Sequence, residues 1–185
     1  MILIRFLLIF SIFCLFSNKL PEYEILSNLI FNDFAKEAKE TFQLRCEGDR
    51  GSMPHDVESL GGFFYLNKKV TMDEARELEF KMLTLLQKRI NENEKIRPFL
   101  REYPFPLERI HICLSFYDEN NRPWTDGSIT FLGYARNKIY YDAYDAEDCS
   151  FIDLKDEPIE EAIAILKEQN KWTKDDDIVL YKTKE

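Results

Sequence analysis

Two histidines, His55 and His111, and four cysteines are the chain's whole supply of imidazole and thiol ligands. A histidine-centred zinc site would have to use both histidines or lean on cysteine and carboxylate ligands, and neither histidine sits in a zinc motif. His111 and Cys113 are the one nucleophile-and-base pairing the spacing offers. Two positions apart on a strand, they point to the same face, where a thiol beside an imidazole could serve a cysteine-dependent hydrolase. Residues so placed are about 7 Å apart along the strand, too far for a direct hydrogen bond without a bend. A buried thiol beside a hydrogen-bonded histidine is the plainer expectation. Acids gather at Asp142, Asp145, Glu147 and Asp148 and again at Asp175, Asp176 and Asp177. Hard cations favour such oxygens, yet neither run has the alternating acids, central glycine and closing glutamate of a calcium loop. The chain contains no Gly-x-Ser-x-Gly, His-Glu-x-x-His or Ser-x-x-Lys. No catalytic residue, metal or cofactor is therefore assigned. The reading leans away from an enzyme, with a cysteine- or metal-dependent hydrolase as the alternative.

A different set of residues suits recognition. Ile110, Ile112, Leu114 and Phe116 alternate with His111, Cys113, Ser115 and Tyr117, the pattern of a half-buried strand. If the aliphatic set faces helices, the opposite face carries His111 and Tyr117, and Tyr134, Tyr140 and Tyr144 extend it across neighbouring strands. Tyrosine joins apolar area to a polar tip, which suits a contact surface. An amphipathic N-terminal helix also needs a seat, and the sequence favours placing it over this face. The tyrosines would then be packing residues, and the binding role holds only where the face stays open.

The elements that would hold this face follow from periodicity. Tyr23, Leu26, Ile30, Phe34 and Ala38 recur at helical spacing from Glu22 to about Leu44, behind Pro21 at a favoured first-turn position. Glu47 to Pro54 has turn residues and no apolar period and reads as a surface loop. Its glycines lack the Gly-Lys-Ser/Thr closure of a phosphate loop. Gly61 and Gly62 introduce a strand over Phe63 to Val70. Thr71-Met72-Asp73-Glu74 is a capping box, and the stripe Ala75, Leu78, Met82, Leu85, Leu86 and Ile90 carries a helix to about Asn91. The Arg97-Pro98-Phe99 and Tyr103-Pro104-Phe105-Pro106 clusters break the period and pack over a core edge.

After the Ile110 strand and a turn over Asp118 to Gly127, two strands, Ser128 to Tyr134 and Lys138 to Tyr144, form a hairpin. Asp156-Glu157-Pro158 opens a helix with Ile159, Ala162, Ile163 and Leu166 on one face and a stop at Asn170. Ile178 to Tyr181 adds an edge strand. The order predicts an α+β domain: an antiparallel sheet of four to five strands with helices packed on one face, related in topology to the ferredoxin-like arrangement plus an N-terminal helix.

Composition sets the class of partner. With 185 residues, 45% apolar and 14% aromatic, the chain has enough for one core at roughly 100–200 residues per domain. Its formal net charge of −9 offers no footprint for a nucleic-acid backbone or an anionic membrane. Met1 to Phe16 carries Arg5 and an apolar run from Phe6 to Phe16, followed by Ser17, Asn18 and Lys19, the order of a secretory signal. The run is short of the about 20 apolar residues that span a bilayer. The sequence thus divides into a signal peptide, residues 1–17, and one domain, residues 18–185. It predicts a periplasmic or secreted, acidic protein with no stable membrane insertion after cleavage; an uncleaved anchor is the alternative. The remaining three cysteines, Cys46, Cys113 and Cys149, allow one disulfide and a spare thiol; the sequence does not fix the pairing, but Cys113 lies in an apolar strand, which favours Cys46 with Cys149.

Ile90-Asn91-Glu92-Asn93, Arg97-Pro98-Phe99-Leu100 and Tyr103-Pro104-Phe105, following Glu74-Ala75-Arg76 at a helix start, resemble a loose group of uncharacterised exported proteins from intracellular bacteria. The resemblance spans Gly51 to Tyr141. It implies a shared domain and export, with no assigned activity or catalytic residues. The resulting expectation is an exported, non-catalytic binding module that meets a protein partner through the tyrosine face or the aromatic-proline segment.

Overall fold

The structure, a computed structural model, describes residues 20–172; the signal over residues 1–17 and the strand at 178–181 lie outside the described residues. The elements run α1 (Glu22–Phe42), β1 (Arg45–Ser52), β2 (Ser59–Leu66), α2 (Met72–Glu92), β3 (Ile110–Phe116), β4 (Ile129–Ala135), β5 (Lys138–Asp145), β6 (Ser150–Pro158) and α3 (Ile159–Glu168), with short 3-10 turns at Arg97–Phe99 and Leu107–Arg109. The strands form one six-stranded sheet in sequential order. The α+β class with helices on one face holds, but the sheet is larger than predicted and mixed.

The departure from an antiparallel sheet lies between β2 and β3, which run parallel with Leu60 beside Ile110 and Leu66 beside Phe116. A helix and a long connection separate these strands, and only such a crossover lets a chain return in the same direction. Both unforeseen strands are edges. β1 occupies what reads as a loop, because nearly all of its residues are exposed and an edge strand held by ladder bonds to β2 needs no apolar period. β6 occupies an acidic stretch for the same reason, with only Glu157 buried. Its last residues are the Asp156-Glu157-Pro158 expected to open the final helix, which instead starts at Ile159 with Pro158 as its cap.

β2 begins four residues earlier than its aromatic run, taking in Gly61 and Gly62. These glycines are points of close approach rather than punctuation. A Cβ on Gly62 would lie 2.5 Å from the Phe31 ring, and one on Gly61 would collide with the His111 carbonyl at 1.8 Å. Gly62 thereby seats α1 on the sheet, where the Phe31 and Phe34 rings stand 6.1 and 5.4 Å from that of Phe64. The β4–β5 turn is tight, with Arg136 and Asn137 both at positive φ, 51° and 60°, as a two-residue hairpin demands.

The periodic helices are as the sequence describes them. Thr71 Oγ1 accepts from the Glu74 backbone N–H at 3.2 Å while Glu74 Oε2 accepts from the Thr71 N–H at 2.8 Å, closing the capping box. Asn170 adopts the left-handed conformation just past α3. In the aromatic-proline connection Phe105 is fully buried, and its carbonyl accepts from Gln87 and Asn91 at 3.1 and 3.2 Å. All three helices pack against the same face of the sheet, over Leu60, Phe64, Ile112, Leu114, Leu132 and Tyr141.

This layer also encloses charge. Arg76 on α2 grips Glu157 of β6 through Nε and Nη2 at 2.7 and 2.8 Å, and Tyr141 donates to the same carboxylate at 2.8 Å. Lys155 adds a fourth bond at 2.7 Å. Burial alone would raise Glu157; the bonds from Arg76, Lys155 and Tyr141 outweigh it and hold the carboxyl below its ordinary range. One turn along α2, Glu79 is fully buried with neither carboxylate oxygen partnered. Desolvation pushes its pKa well up.

Candidate functional site

Because every helix lies on one side, the other side of the sheet is open among the described residues. The N-terminal helix, expected to cover this face, instead takes its seat beside α2, where Gly62 makes room for Phe31. Strand alternation then fixes which side chains look outward. In β3 the helix-facing residues Ile110, Ile112, Leu114 and Phe116 are buried, and His111, Cys113 and Ser115 are half-buried on the open side. The parallel register sets Tyr65 beside Ser115 and Phe63 beside Cys113. Antiparallel pairing carries the face onward through Ser115–Phe131, Phe131–Asp142, Asp142–Asp153 and Tyr144–Phe151.

Four of the five residues assigned to the contact surface belong to this side: His111, Tyr117, Tyr140 and Tyr144. Tyr134 does not. It pairs with Ile139 in the core layer, is 3% exposed, and donates its hydroxyl to Asn137 Oδ1 at 3.0 Å. Gly133 and not Tyr134 holds the outward position, because the β4 register places Gly133 opposite Cys113 and Tyr140. Phe131 spreads over the spare space, its ring 3.3 Å from where a Gly133 Cβ would stand.

The open face is indented by a cleft of about 440 Å³ between the β5–β6 end and the start of the β3–β4 loop. Its aromatic walls are Tyr65, Tyr117, Tyr144 and Phe151, with Ser115 and Thr130 supplying hydroxyls and Glu47 a carboxylate. Tyr65 and Tyr117 stand 6.0 Å apart, centroid to centroid, and Tyr144 meets Phe151 edge-on at 5.9 Å. Phe131 backs Phe151 at 5.8 Å. Tyr65, Phe131 and Phe151 escape a reading of the sequence. Tyr65 and Phe131 lie within the expected strands, but their side is fixed only by their pairing with Ser115, and Phe151 is lost because no strand is expected over 150–158.

The electrostatics of the face divide along the sheet. At the β1–β3 end Arg50 lies over the Phe63 ring at 5.8 Å, and Arg45 over Tyr65 at the same distance. Burial first, then Arg50, lowers the pKa of His111. At the other end Asp142 faces Asp153, and burial together with this second carboxylate pushes Asp142 up to about 6. Tyr144 is raised by its contact with the Cys149 thiol.

Cys113 and His111 are not arranged as a nucleophile and its base. Burial raises the Cys113 thiol to about 11, with Glu79 adding to the effect and Arg50 opposing it, so at neutral pH it is a thiol and not the thiolate nucleophile. No hydrogen bond joins it to His111. Among the described residues no three His, Cys, Asp or Glu side chains converge as metal ligands. The disulfide expected between Cys46 and Cys149 is not formed, and Cys46, Cys113 and Cys149 are all free. Cys46 lies in edge strand β1, whereas Cys149 belongs to the turn joining β5 to β6 at the far end of the strand order.

A larger cleft of about 590 Å³ lies between the end of α1 and the start of α2, lined by Phe42, Leu66, Val70 and Leu78. The charges on its rim are paired with one another, Lys68 with Glu74 at 3.0 Å and Lys81 with Glu77 at 2.5 Å. No helix among the described residues is long and apolar enough to cross a membrane. Comparison of the chain with protein-family models, with curated proteins and with solved structures finds no match.

Proposed function

We propose that this is an exported, non-catalytic binding module that engages a protein partner through the open face of its sheet. The observation that carries the reading is the aromatic cleft itself. Large rings from β2, β5, β6 and the β3–β4 loop converge on a face that no described helix covers, and Phe151 remains 56% exposed. Tyrosine and phenylalanine are enriched at interfaces relative to the rest of a protein's surface. Export rests on the charged start and apolar run of residues 1–17.

A photo-crosslinking phenylalanine analogue at position 151, in protein produced in its own host, tests the contact. The expected result is one discrete adduct that disappears when Tyr117 and Tyr144 are both changed to alanine, while the same probe at Lys81 on the helix layer gives none. Equal labelling from both positions overturns the assignment of the face. Mass measurement of the same material checks export, with an N-terminus at Asn18 expected; a chain still beginning at Met1 and recovered from the cytosol refutes it.

A further inference from the structure

Resting on that reading, we propose that the cleft takes a basic side chain of the partner polypeptide, an arginine seated against the Tyr144 and Phe151 rings and drawn by the Glu47 carboxylate. Three observations point the same way. The rings of Tyr117, Tyr144 and Phe151 have no cation of the described chain over them, whereas Tyr65 and Phe63 are already served by Arg45 and Arg50. An aromatic face is the negative pole of its quadrupole and attracts a cation within about 6 Å. The protein uses this contact on one wall of the cleft and leaves it unused on the other.

Carboxylates of the cleft and of the strands beside that unused wall also lack ion-pair partners. Glu47 lines the cleft from β1, on the Tyr65 side, and its exposed carboxylate makes no ion pair or hydrogen bond among the described residues. Asp142 and Asp153 lie opposite each other, on the same outward side as the Tyr144–Phe151 pair and next to it along the strands. Neither has an ion-pair partner. Burial first, and then the repulsion between two acids so placed, makes Asp142 hold its proton unusually tightly; a cation nearby would relieve the repulsion. In a chain of net charge −9, the approach of a basic segment is favoured over that of an acidic one at every distance within the screening length. Arginine fits better than a compact ammonium because its planar guanidinium stacks on rings while donating to a carboxylate. A cleft of about 440 Å³ holds such a side chain with its flanking backbone.

The test uses the full mature chain and two small probes, N-acetyl-arginine methylamide and its uncharged counterpart N-acetyl-citrulline methylamide. Binding is followed by NMR at the Tyr144 ring and the Asp142 carboxyl. The arginine probe is expected to shift both signals and to lower the pH at which Asp142 titrates. The citrulline probe should bind roughly fivefold more weakly, the ratio that one exposed cation–ring contact supplies. Glu47→Gln, a change at an exposed position, should weaken the arginine probe by a similar factor and leave the citrulline probe unaffected. Tyr144→Ala should weaken both, with an unchanged melting temperature showing that the fold survives. Equal binding of the two probes overturns the cationic ligand while leaving the face as a binding surface. Failure of both probes alongside a discrete adduct from position 151 does the same. Failure of both probes with no adduct brings down the proposed function as well.

Discussion

Glu79 offers the sharpest test of the physical reasoning. Its carboxyl is fully buried, neither oxygen has a partner, and Arg76, one turn away on the same helix, is already committed to Glu157 and Asp73. The group must therefore keep its proton in the folded protein, whereas in the unfolded chain it ionises near the free value of about 4.3. Folding then takes up a proton wherever the pH exceeds that value, and stability falls as pH rises, by about 1.4 kcal/mol per pH unit from this residue alone. The loss is absent below about pH 4 and accumulates until the folded carboxyl itself ionises. Glu79→Gln keeps the shape and removes the ionisation. It should match the native protein at pH 4 within about 1 kcal/mol and exceed it by a margin that widens by about 1.4 kcal/mol between pH 5 and pH 6. In a chain of this size that is roughly 3–6 °C of melting temperature. Urea unfolding at pH 4, 5 and 6 reads the difference directly, and every other carboxyl cancels between the two proteins. A margin that stays constant across the three pH values would refute the claim that Glu79 is buried and unpartnered.

Other expectations concern the same layers. Arg76→Met leaves Glu157 buried with only Lys155 and Tyr141 as partners, and urea unfolding at pH 7 should show a loss of about 3–5 kcal/mol. Tyr134→Phe removes one hydroxyl bond to Asn137, costing about 0.5–1.5 kcal/mol, and should leave crosslinking from position 151 unchanged because Tyr134 faces the core; a lost adduct would return it to the contact surface. A carboxyl-detected NMR titration should place the Asp142 midpoint near 6. Asp153→Asn should lower that midpoint but leave it above the ordinary aspartate range, since burial is the larger cause. Asp142 therefore weakens the fold as pH rises from about 3.9 through 6, the same sense as Glu79.

The helices were legible because their burial is periodic. The stripe from Ala75 to Ile90 and the capping box at Thr71 need no tertiary information, and β3 alternates so regularly that its two faces can be assigned from Ile110 to Phe116 alone. The edge strands were not legible. β1 has almost no buried side chain and β6 has one, Glu157, so the signal that marks a strand, a hydrophobic face, is missing from both. That omission hid two residues of the cleft, since Phe151 belongs to β6 and Glu47 to β1. Tyr134 was placed on the wrong side because the outward set in β4 is Phe131 and Gly133, and a glycine gives no sign of which way it points. A shift of one residue exchanges the two faces of a strand, and only the pairing of Cys113 with Gly133 settles which is which.

An antiparallel sheet with one free side ordinarily turns polar residues to the water, and here β5 begins that way with Lys138 outward. From Phe131 to Phe151 the pattern reverses, and rings occupy positions where they bury little against the described chain. Phe151 at 56% exposed gains only part of the transfer free energy its area could supply. The helix layer already provides a continuous core from Phe34 to Leu166, so the outward rings are not what holds the sheet together. Their packing also differs in kind from that core. Tyr144 and Phe151 meet edge-on across strands, and Tyr65 is tilted against Tyr117. Substitutions at Tyr117 or Tyr144 should therefore separate binding from folding, whereas Tyr141, on the other side of β5, cannot be changed without touching the buried Glu157 network, and Tyr134 of β4 lies in the core. The same pleat that sends alternate tyrosines to opposite sides divides them between recognition and stability.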